Sequence, residues 1–352
     1  MGEAPEHPST REPLPWQHQA WERLMRHHRE GRMPHALLLS GPRGVGKRLF
    51  AEAFIQARLC RHPRAQGTAC GECDGCRQFL AGSHADYRSV GIEAKRRNIL
   101  IDQLRQLTEW LSLTASSESG KHALIEPAER MTTGAANSLL KTLEEPPGNT
   151  VMVLISALPG RLPATVRSRS QVLELPRPTR DEALAWLLKQ PLQETQATEA
   201  DRAEALAMAD GSPLAALSWL ESGGLGRARE SSGALLAVAS GRESLVAAAE
   251  RLSKQELTAL LQWWRIWLEA LIRRGQAGPG FSSPLLDDDN AELQKLLKAI
   301  DWKAAHELHQ ALDDAERRAD SANPQLLIES LLGRWYAASR PTQRAKHSEA
   351  RA

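Results

Sequence analysis

A glycine-rich loop that ends in a lysine is the first group of residues whose spacing suggests chemistry. The letters G-P-R-G-V-G-K occupy residues 41–47, with glycines at Gly41, Gly44 and Gly46 and the lysine at Lys47. Such a loop lets backbone N–H groups surround phosphate oxygens, while the lysine reaches the terminal phosphates. The pattern predicts a nucleotide-binding cradle formed by these four residues; a glycine turn without a ligand is the alternative.

The residues that would complete a hydrolytic site are replaced. Where a Ser or Thr hydroxyl would ligate Mg²⁺, the chain has Arg48, whose guanidinium has no acceptor and repels a divalent cation. Where a hydrolase has Asp followed by Glu, the chain has Glu126 and Pro127, and proline cannot act as the base that activates water. We expect a degenerate site without ATP hydrolysis, while binding of ATP or ADP without turnover stays open.

Four cysteines form a second group, spaced C-x9-C-x2-C-x2-C, and they are the only cysteines of the chain. They are Cys60, Cys70, Cys73 and Cys76. Four thiolates at this spacing can fill the tetrahedral shell of one zinc ion and leave no position for a catalytic water. We predict a structural zinc module at 60–76, with tight turns at Gly67, Gly71 and Gly75. Free thiols, a redox pair and an iron–sulfur cluster are the alternatives.

Apolar runs that alternate with helical patterns must position these groups. Strands are predicted at residues 36–39, 123–125, 151–155 and 171–175. Helices are predicted at residues 16–29, 49–60, 101–113 and 133–143. Strands that alternate with helices indicate an α/β domain with a mainly parallel sheet, in which the glycine loop follows the first strand and precedes a helix.

Strand patterns disappear after residue 178, and the rest of the chain reads as helices. A short helical unit extends to about residue 220, and glycines at 223, 224 and 226 suggest a hinge or linker before a longer helical region. The predicted divisions are a flexible segment at 1–13, an α/β domain at 14–177, helical regions at 178–224 and 225–336, and a disordered tail at 337–352.

The charge balance limits what the chain can do alone. Lys and Arg number 45, Asp and Glu number 43, and the net charge is +2. A protein that grips DNA phosphates by itself normally has a strong basic excess, so this balance argues against that role. Neither an apolar run long enough to cross a membrane nor a signal peptide is apparent, and a cytoplasmic location is expected.

Three segments resemble bacterial clamp-loader subunits of the AAA+ class. They are G-R-M-P-H-A-L-L at 31–38, A-A-N-S-L-L-K-T-L-E-E-P-P at 135–147 and R-S-R-S at 167–170. The cysteines that follow the P-loop helix agree with this resemblance, which covers residues 14–220. It implies an α/β P-loop (AAA+) domain with a small helical lid at 178–224, followed by an all-α C-terminal collar domain that joins subunits at 225–336.

Within this class the chain is similar to the delta-prime family rather than to the ATPase motor subunits. Motor subunits carry a sensing arginine in the lid, where this chain has Leu214. The class has a Ser-Arg-Cys motif that supplies an arginine finger to the ATP of a neighbouring subunit, and here it reads Ser168-Arg169-Ser170. The resemblance implies that Arg169 is catalytic in trans, with Arg167 as the second candidate.

The function implied by this resemblance is that of an accessory, non-motor subunit of the DNA polymerase III clamp loader, which loads a sliding clamp onto primed DNA. The implied partners are the tau/gamma motor subunits and the delta subunit, with the clamp and primed DNA reached through the complex. No ATPase activity of its own is expected, although it would belong to the DNA polymerase III holoenzyme, a nucleotidyltransferase complex.

Two other functions stay open. One is an active AAA+ clamp-loader ATPase, which magnesium-dependent hydrolysis lost in Lys47→Ala would favour. The other is a zinc nucleic-acid-binding module, which salt-sensitive DNA binding by the isolated chain would favour.

Overall fold

The computed structural model describes residues 12–340 except 95, 193–196, 279–280, 282, 288 and 320–321, and it leaves the side chain of residue 317 undescribed. The chain divides into two compact units, Met1–Glu182 and Ala183–Ala352. Of the two predicted unstructured ends, residues 1–11 and 341–352 lie outside the described residues. Ala337 and Ala338 are helical, so the last helix extends two residues beyond the predicted start of the tail.

The first unit contains a five-stranded parallel sheet with the strand order β2-β3-β4-β1-β5. Its strands are β1 Ala36–Ser40, β2 Tyr87–Val90, β3 His122–Ile125, β4 Val151–Ser156 and β5 Gln171–Glu174. Its helices are α1 His18–Arg29, α2 Lys47–Leu59, α3 Asp74–Leu80, α4 Ile101–Ser112, α5 Thr133–Glu144 and α6 Ala164–Arg167. Short 3₁₀ helices lie at Pro15–Gln17, Ala128–Arg130 and Pro159–Arg161.

The central strands are apolar along their whole length because both faces of the sheet are covered. In β1, Leu37 and Leu39 pack into the core on the side of α2, while Ala36 and Leu38 pack into the core on the side of α4 and α5. Successive side chains of a strand point to opposite faces, so a continuous apolar run is what a doubly covered strand requires. The predicted strands and their parallel arrangement are therefore confirmed.

The edge strand β2 was not predicted. It has only four residues, and all four of its side chains are partly or largely exposed. Its sequence, Y-R-S-V, lacks the apolar run that marked the other strands. Pairing with β3, with Tyr87 opposite His122, defines it as a strand. Because the partner is distant in the chain, the sequence of β2 itself shows no strand pattern.

The functional segments lie at the two opposite ends of the parallel strands, which are called here the carboxyl edge and the amino edge of the sheet. The carboxyl edge carries the glycine loop, which follows β1, and Glu126, which follows β3. The amino edge carries His35, which precedes β1, and Arg169, which precedes β5. Leu37 is paired with Gln171, so the starts of β1 and β5 lie side by side at this edge.

The second unit is helical throughout its described residues, as predicted. The helices, including α7 at the division between the units, are α7 Arg180–Leu188, α8 Glu199–Met208, α9 Pro213–Glu221, α10 Gly224–Ser240, α11 Leu245–Leu252, α12 Leu257–Ala277, α13 Ala291–Ala299, α14 Trp302–Arg318 and α15 Pro324–Ala338. None of the helices in the described part of the chain is long and apolar enough to cross a membrane.

Tryptophans fill the core of this unit. Trp263, Trp264 and Trp267, all on α12, are between 2% and 3% exposed, and they share the core with Trp335. The Trp335 indole N–H donates to the Leu235 carbonyl at 2.7 Å, so burial leaves this polar group paired. These four tryptophans therefore belong to the hydrophobic core of the second unit.

The glycines at 223–226 begin a helix. Gly223 has a φ of 65° and precedes the first residue of α10, while Gly224 and Gly226 lie within α10. Ser222 and Gly223 alone connect α9 to α10. The division of the chain into two units falls at residue 182, close to the predicted end of the α/β domain, and the further split into lid and collar stays a prediction.

Candidate functional site

The glycine loop adopts a conformation that depends on its glycines. Gly41 has a φ of 143°, and a Cβ atom there would lie 2.2 Å from the Leu175 carbonyl oxygen. Gly44 and Gly46 have φ values of 77° and 86°, and Gly46 directly precedes the first residue of α2. A side chain at any of these positions would strain the backbone or, at Gly41, collide with the residue that follows β5, so the loop conformation requires its glycines.

Two side chains that precede α1 donate hydrogen bonds to backbone carbonyls of this loop. The Gln17 amide donates to the carbonyls of Val45 at 2.8 Å and Gly46 at 3.0 Å, and Gln17 is only 1% exposed. The Trp16 indole N–H also donates to the Val45 carbonyl, at 3.0 Å. These bonds satisfy carbonyls of the loop and fix its path into α2.

Lys47 lies inside the loop. Its ammonium donates to the carbonyls of Gly41 at 2.7 Å and Pro42 at 2.6 Å, and the residue is 7% exposed. Burial lowers the pKa of Lys47, while the nearby carboxylates of Glu126 and Glu129 partly offset this effect. The ammonium thus binds carbonyls of its own loop, and its role in holding a phosphate stays a prediction from the motif.

Arg48 forms ion pairs at the position where a hydrolase would bind its metal. Its Nη1 lies 3.0 Å from Glu126 Oε2, and its Nε lies 2.8 Å from Glu52 Oε1. Glu126 is the residue at the end of β3 whose carboxylate could otherwise face a cation. The guanidinium thus neutralises the acidic group and adds positive charge beside Lys47, which disfavours Mg²⁺ there.

The residue that would activate water is absent from this arrangement. Pro127 follows Glu126 directly and offers no titratable group. The next carboxylate along the chain, Glu129, accepts a hydrogen bond from the Ala157 backbone N–H at 3.2 Å through Oε1. That contact joins Glu129 to the residue after β4, while its buried Oε2 makes no hydrogen bond to a described residue.

The four cysteines lie together and match the geometry of a tetrahedral metal site. Their Sγ atoms all lie within 4.8 Å of one another, and the Cys70–Cys76 and Cys60–Cys73 pairs are 3.9 Å apart. A zinc ion with Zn–S bonds of about 2.3 Å requires S–S separations of about 3.8 Å. The donor set therefore fits zinc, and the residues that would hold it are the four predicted ones.

Backbone N–H groups support the thiolate form of these side chains. The N–H of Cys70 donates to Cys60 Sγ at 3.2 Å, and the N–H of Cys73 donates to Cys70 Sγ at 3.4 Å. The backbone N–H groups of Glu72 and Cys73 lower the pKa of Cys70 to about 6. Burial instead raises the pKa of Cys76, so a bound cation is what would keep that thiolate charged.

One prediction about this module is wrong. Gly67 and Gly71 have φ values of 79° and 85° and make the expected turns. Gly75, however, lies in helix α3, where a Cβ atom would be 2.2 Å from the Leu59 carbonyl. The glycine at 75 is therefore required by close packing of α3 against the end of α2, and not by a turn.

Arg169 lies between α6 and β5 at the amino edge of the sheet. Its Nε donates to Glu144 Oε1 at 2.8 Å, and its Nη1 donates to the Thr165 carbonyl at 3.1 Å. Its side chain is 34% exposed. Arg167, the second candidate for a finger, is exposed at the last residue of α6.

Three residues that contact these sites received no role from the sequence. Gln17 gave no signal, because a single glutamine before a helix is uninformative. His35 and Glu144 stand within the segments that carry the family resemblance, but their partners cannot be read from the sequence. The structure shows that His35 contacts the Leu143 carbonyl and that Glu144 contacts Arg169.

Comparison with known proteins identifies the family. The model of the family described as DNA polymerase III, delta subunit, matches residues 16–179. The protein is 34% identical over 353 residues to DNA polymerase III subunit delta′ of Pseudomonas aeruginosa, an alignment that covers 93% of this chain and 98% of that protein. The chain belongs to the DNA polymerase III delta-prime family. The delta′ subunit of Escherichia coli is 35% identical over 263 residues, which cover 74% of this chain and 76% of that protein.

The first unit has a parallel α/β sheet in which the glycine loop follows β1, the strand between β4 and the edge strand β5. A solved structure of a DNA polymerase III gamma subunit-related protein from Thermotoga maritima covers 92% of this chain and 100% of its own, with 19% identity and a TM-score of 0.47.

Proposed function

We propose that the chain is an accessory, non-motor subunit of the DNA polymerase III clamp loader. It would help to load a sliding clamp onto primed DNA, and it would supply Arg169 as an arginine finger to the ATP of a neighbouring motor subunit. The delta-prime relatives support the clamp-loader assignment. The partners are the tau/gamma motor subunits and the delta subunit, with the helices of 225–336 as the collar that joins them.

The observation that carries the non-motor role is the ion pair between Arg48 and Glu126, at 3.0 Å. In a hydrolytic P-loop, this space holds Mg²⁺ between a hydroxyl and a carboxylate, and the metal neutralises the phosphates. Here an arginine of the chain itself pairs with the carboxylate. Together with Pro127, this arrangement supports a phosphate cradle that does not turn ATP over.

The position of Arg169 supports action on another subunit. It precedes β5 at the amino edge of the sheet, whereas Lys47 follows β1 at the carboxyl edge. A strand of four or five residues separates the two edges by roughly 15 Å. The guanidinium therefore cannot reach a nucleotide in its own cradle, and a phosphate from a neighbouring subunit is the target that remains.

The cysteine module supports a structural rather than a catalytic role for its metal. All four ligand positions are supplied by the chain, and the module packs on the end of α2 through Gly75. Zinc held by four thiolates has no open position for a water or a substrate. We assign it to the stability of the first unit.

Substitution of the finger in the assembled loader tests the proposal. We expect Arg169→Ala to lower DNA-stimulated ATP turnover by at least about tenfold. An arginine supplied in trans raises kcat by ~10³–10⁵ at the ATP site that it serves. The loss for the whole loader is smaller because the other ATP sites keep their own arginine fingers. The measurement is steady-state ATP hydrolysis by a loader reconstituted from this chain, unmodified motor subunits, the delta subunit, clamp and primed DNA.

Arg167→Ala is the matched variant, since it removes an exposed arginine two positions away. Its turnover should equal that of the unmodified loader. If Arg169→Ala hydrolyses ATP at the normal rate, Arg169 is not a finger; if Arg167→Ala alone is impaired, the finger is Arg167.

A further inference from the structure

Three residues from the three family-like segments meet at the amino edge of the sheet. His35 precedes β1, Glu144 ends α5, and Arg169 precedes β5. The His35 Nε2 lies 2.8 Å from the Leu143 carbonyl, and Glu144 contacts the guanidinium of Arg169. Segments far apart in the sequence thus converge on the side chain that the proposed function requires.

The guanidinium of Arg169 is held along one of its edges. Its Nε donates to Glu144 Oε1 at 2.8 Å, and its Nη2 contacts the same oxygen. On the other side, Nη1 donates to the Thr165 carbonyl at 3.1 Å. A planar guanidinium that is fixed at Nε, Nη2 and Nη1 has a defined orientation, not only a defined location.

This arrangement uses three of the five N–H bonds of the guanidinium. The two others are one N–H on Nη1 and one on Nη2, at the end of the side chain. The Ser168 hydroxyl lies 3.5 Å from Nη1, at the outer limit of a hydrogen bond. The side chain is 34% exposed. The Nη1–Nη2 edge is therefore the one that can donate to oxygens of a phosphoryl group.

Glu144 itself is placed by the end of α5. The Leu143 carbonyl belongs to the last turn of this helix, where carbonyls have no partner within the helix. Because a carbonyl only accepts, the His35 ring nitrogen must donate to it. This bond fixes the last turn of α5 against the start of β1, and Glu144 is the next residue.

We propose that Glu144 is the positioning residue for Arg169, a role that rests on the proposed function of Arg169 as a finger. The carboxylate orients the guanidinium so that its Nη1–Nη2 edge points outward for a phosphoryl group of the neighbouring subunit. Without this contact, a flexible arginine would sample many rotamers and only part of the population would have the catalytic orientation. Glu144 does not touch the nucleotide and acts only through Arg169.

The test uses the complete reconstituted loader with unmodified motor subunits. We expect Glu144→Ala to lower kcat for DNA-stimulated ATP turnover by about tenfold with little change in KM for ATP, since misplacement of a catalytic group can cost ~10²-fold. Glu144→Gln keeps a carbonyl acceptor at the same place and should retain more of the activity. Glu145→Ala is the matched control, because this exposed neighbour makes no ion pair with any described residue.

A double substitution separates positioning from a general structural effect. In the Arg169→Ala background, Glu144→Ala should cause no further loss of ATP turnover, because Glu144 acts on turnover only through Arg169. Equal losses in both backgrounds would overturn the inference in favour of a structural role, and thermal melting of each variant would show the accompanying loss of stability.

The remaining outcomes are also decisive. Normal turnover in Glu144→Ala together with impaired turnover in Arg169→Ala overturns the positioning role and leaves the finger intact. Faster turnover in Glu144→Ala would show that Glu144 restrains the finger, which also overturns the inference. Normal turnover in Arg169→Ala would instead refute the proposed function.

Discussion

The guanidinium of Arg48 contacts two carboxylates, Glu52 and Glu126, beside a loop that is otherwise shaped for phosphate. These contacts place a fixed positive charge where a P-loop enzyme binds Mg²⁺. Because Lys47 lies in the same loop, two cations already face any phosphate that enters. Charge and ligand type thus disfavour a bound metal, which supports the proposal that the chain does not hydrolyse ATP.

Replacement of Arg48 by threonine should partly restore the metal site. Arg48→Thr supplies a hydroxyl ligand and releases Glu126 from its ion pair, so we expect affinity for a non-hydrolysable ATP analogue to rise about tenfold with Mg²⁺ present, or about 1.4 kcal/mol. Isothermal titration of the purified chain with and without EDTA measures this change.

Arg23→Thr is the control, because it removes an exposed arginine of α1 and leaves the loop unchanged. Affinity in EDTA should change little in either variant, and hydrolysis should stay absent because Pro127 still replaces the base. An Arg48→Thr variant that binds the magnesium complex no better than the unmodified chain would contradict this account of the site.

The sequence offers candidate residues more readily than it offers their contacts. Residue type and spacing suggested Lys47 and the cysteines, since glycine loops and thiolate clusters have strict local requirements, whereas Arg169 came from the family resemblance. The contacts of Gln17 with the loop and of Glu144 with Arg169 were not predictable. They join residues that are 25 or more positions apart and depend on the final packing.

At the scale of elements, the cysteine module adds one helix and two glycine turns between α2 and β2. Its four thiols have the separations of a zinc site, and its small apolar core consists of Ala69 and the cysteines themselves. So small a cluster buries too little apolar surface to fix its own conformation, and a metal bound by four thiolates would supply that stability.

Metal analysis of the purified protein tests this module. We expect one zinc ion per chain, and removal by a chelator under reducing conditions should expose four reactive thiols and lower the melting temperature, because binding energy at a structural site is folding energy. Cys73→Ser should lose the metal, and zinc added back to the unmodified chain should restore its melting temperature.

A protein that contains no metal, or whose thiols react fully without a chelator, would contradict the assignment. Iron in place of zinc would indicate that the four cysteines hold an iron–sulfur cluster.

Most elements were predictable because they satisfy local rules. The strands β1, β3, β4 and β5 were predicted to within one residue at each end. The first three are buried on both faces and appear in the sequence as apolar runs, whereas β5 is an edge strand with one buried residue. Strand β2 and helix α3 were missed. The first is a four-residue edge strand, and the second is a seven-residue helix within a cysteine segment whose glycines suggested turns.

At the scale of the whole molecule, the two groups that could handle phosphate lie at opposite edges of one sheet. Lys47 and its loop follow β1, and Arg169 precedes β5. Arg48 lies at the metal position of the cradle, and at the other edge Glu144 contacts the guanidinium of Arg169. This separation agrees with the accessory role proposed above, in which Arg169 would serve a neighbouring subunit.

ATP turnover by the purified chain alone, with Mg²⁺, tests the central claim most directly. The unmodified chain should hydrolyse ATP no faster than the Lys47→Ala variant, because neither has a metal ligand at position 48 or a base at position 127. Brisk magnesium-dependent hydrolysis that disappears in Lys47→Ala would contradict this account and identify the chain as a motor.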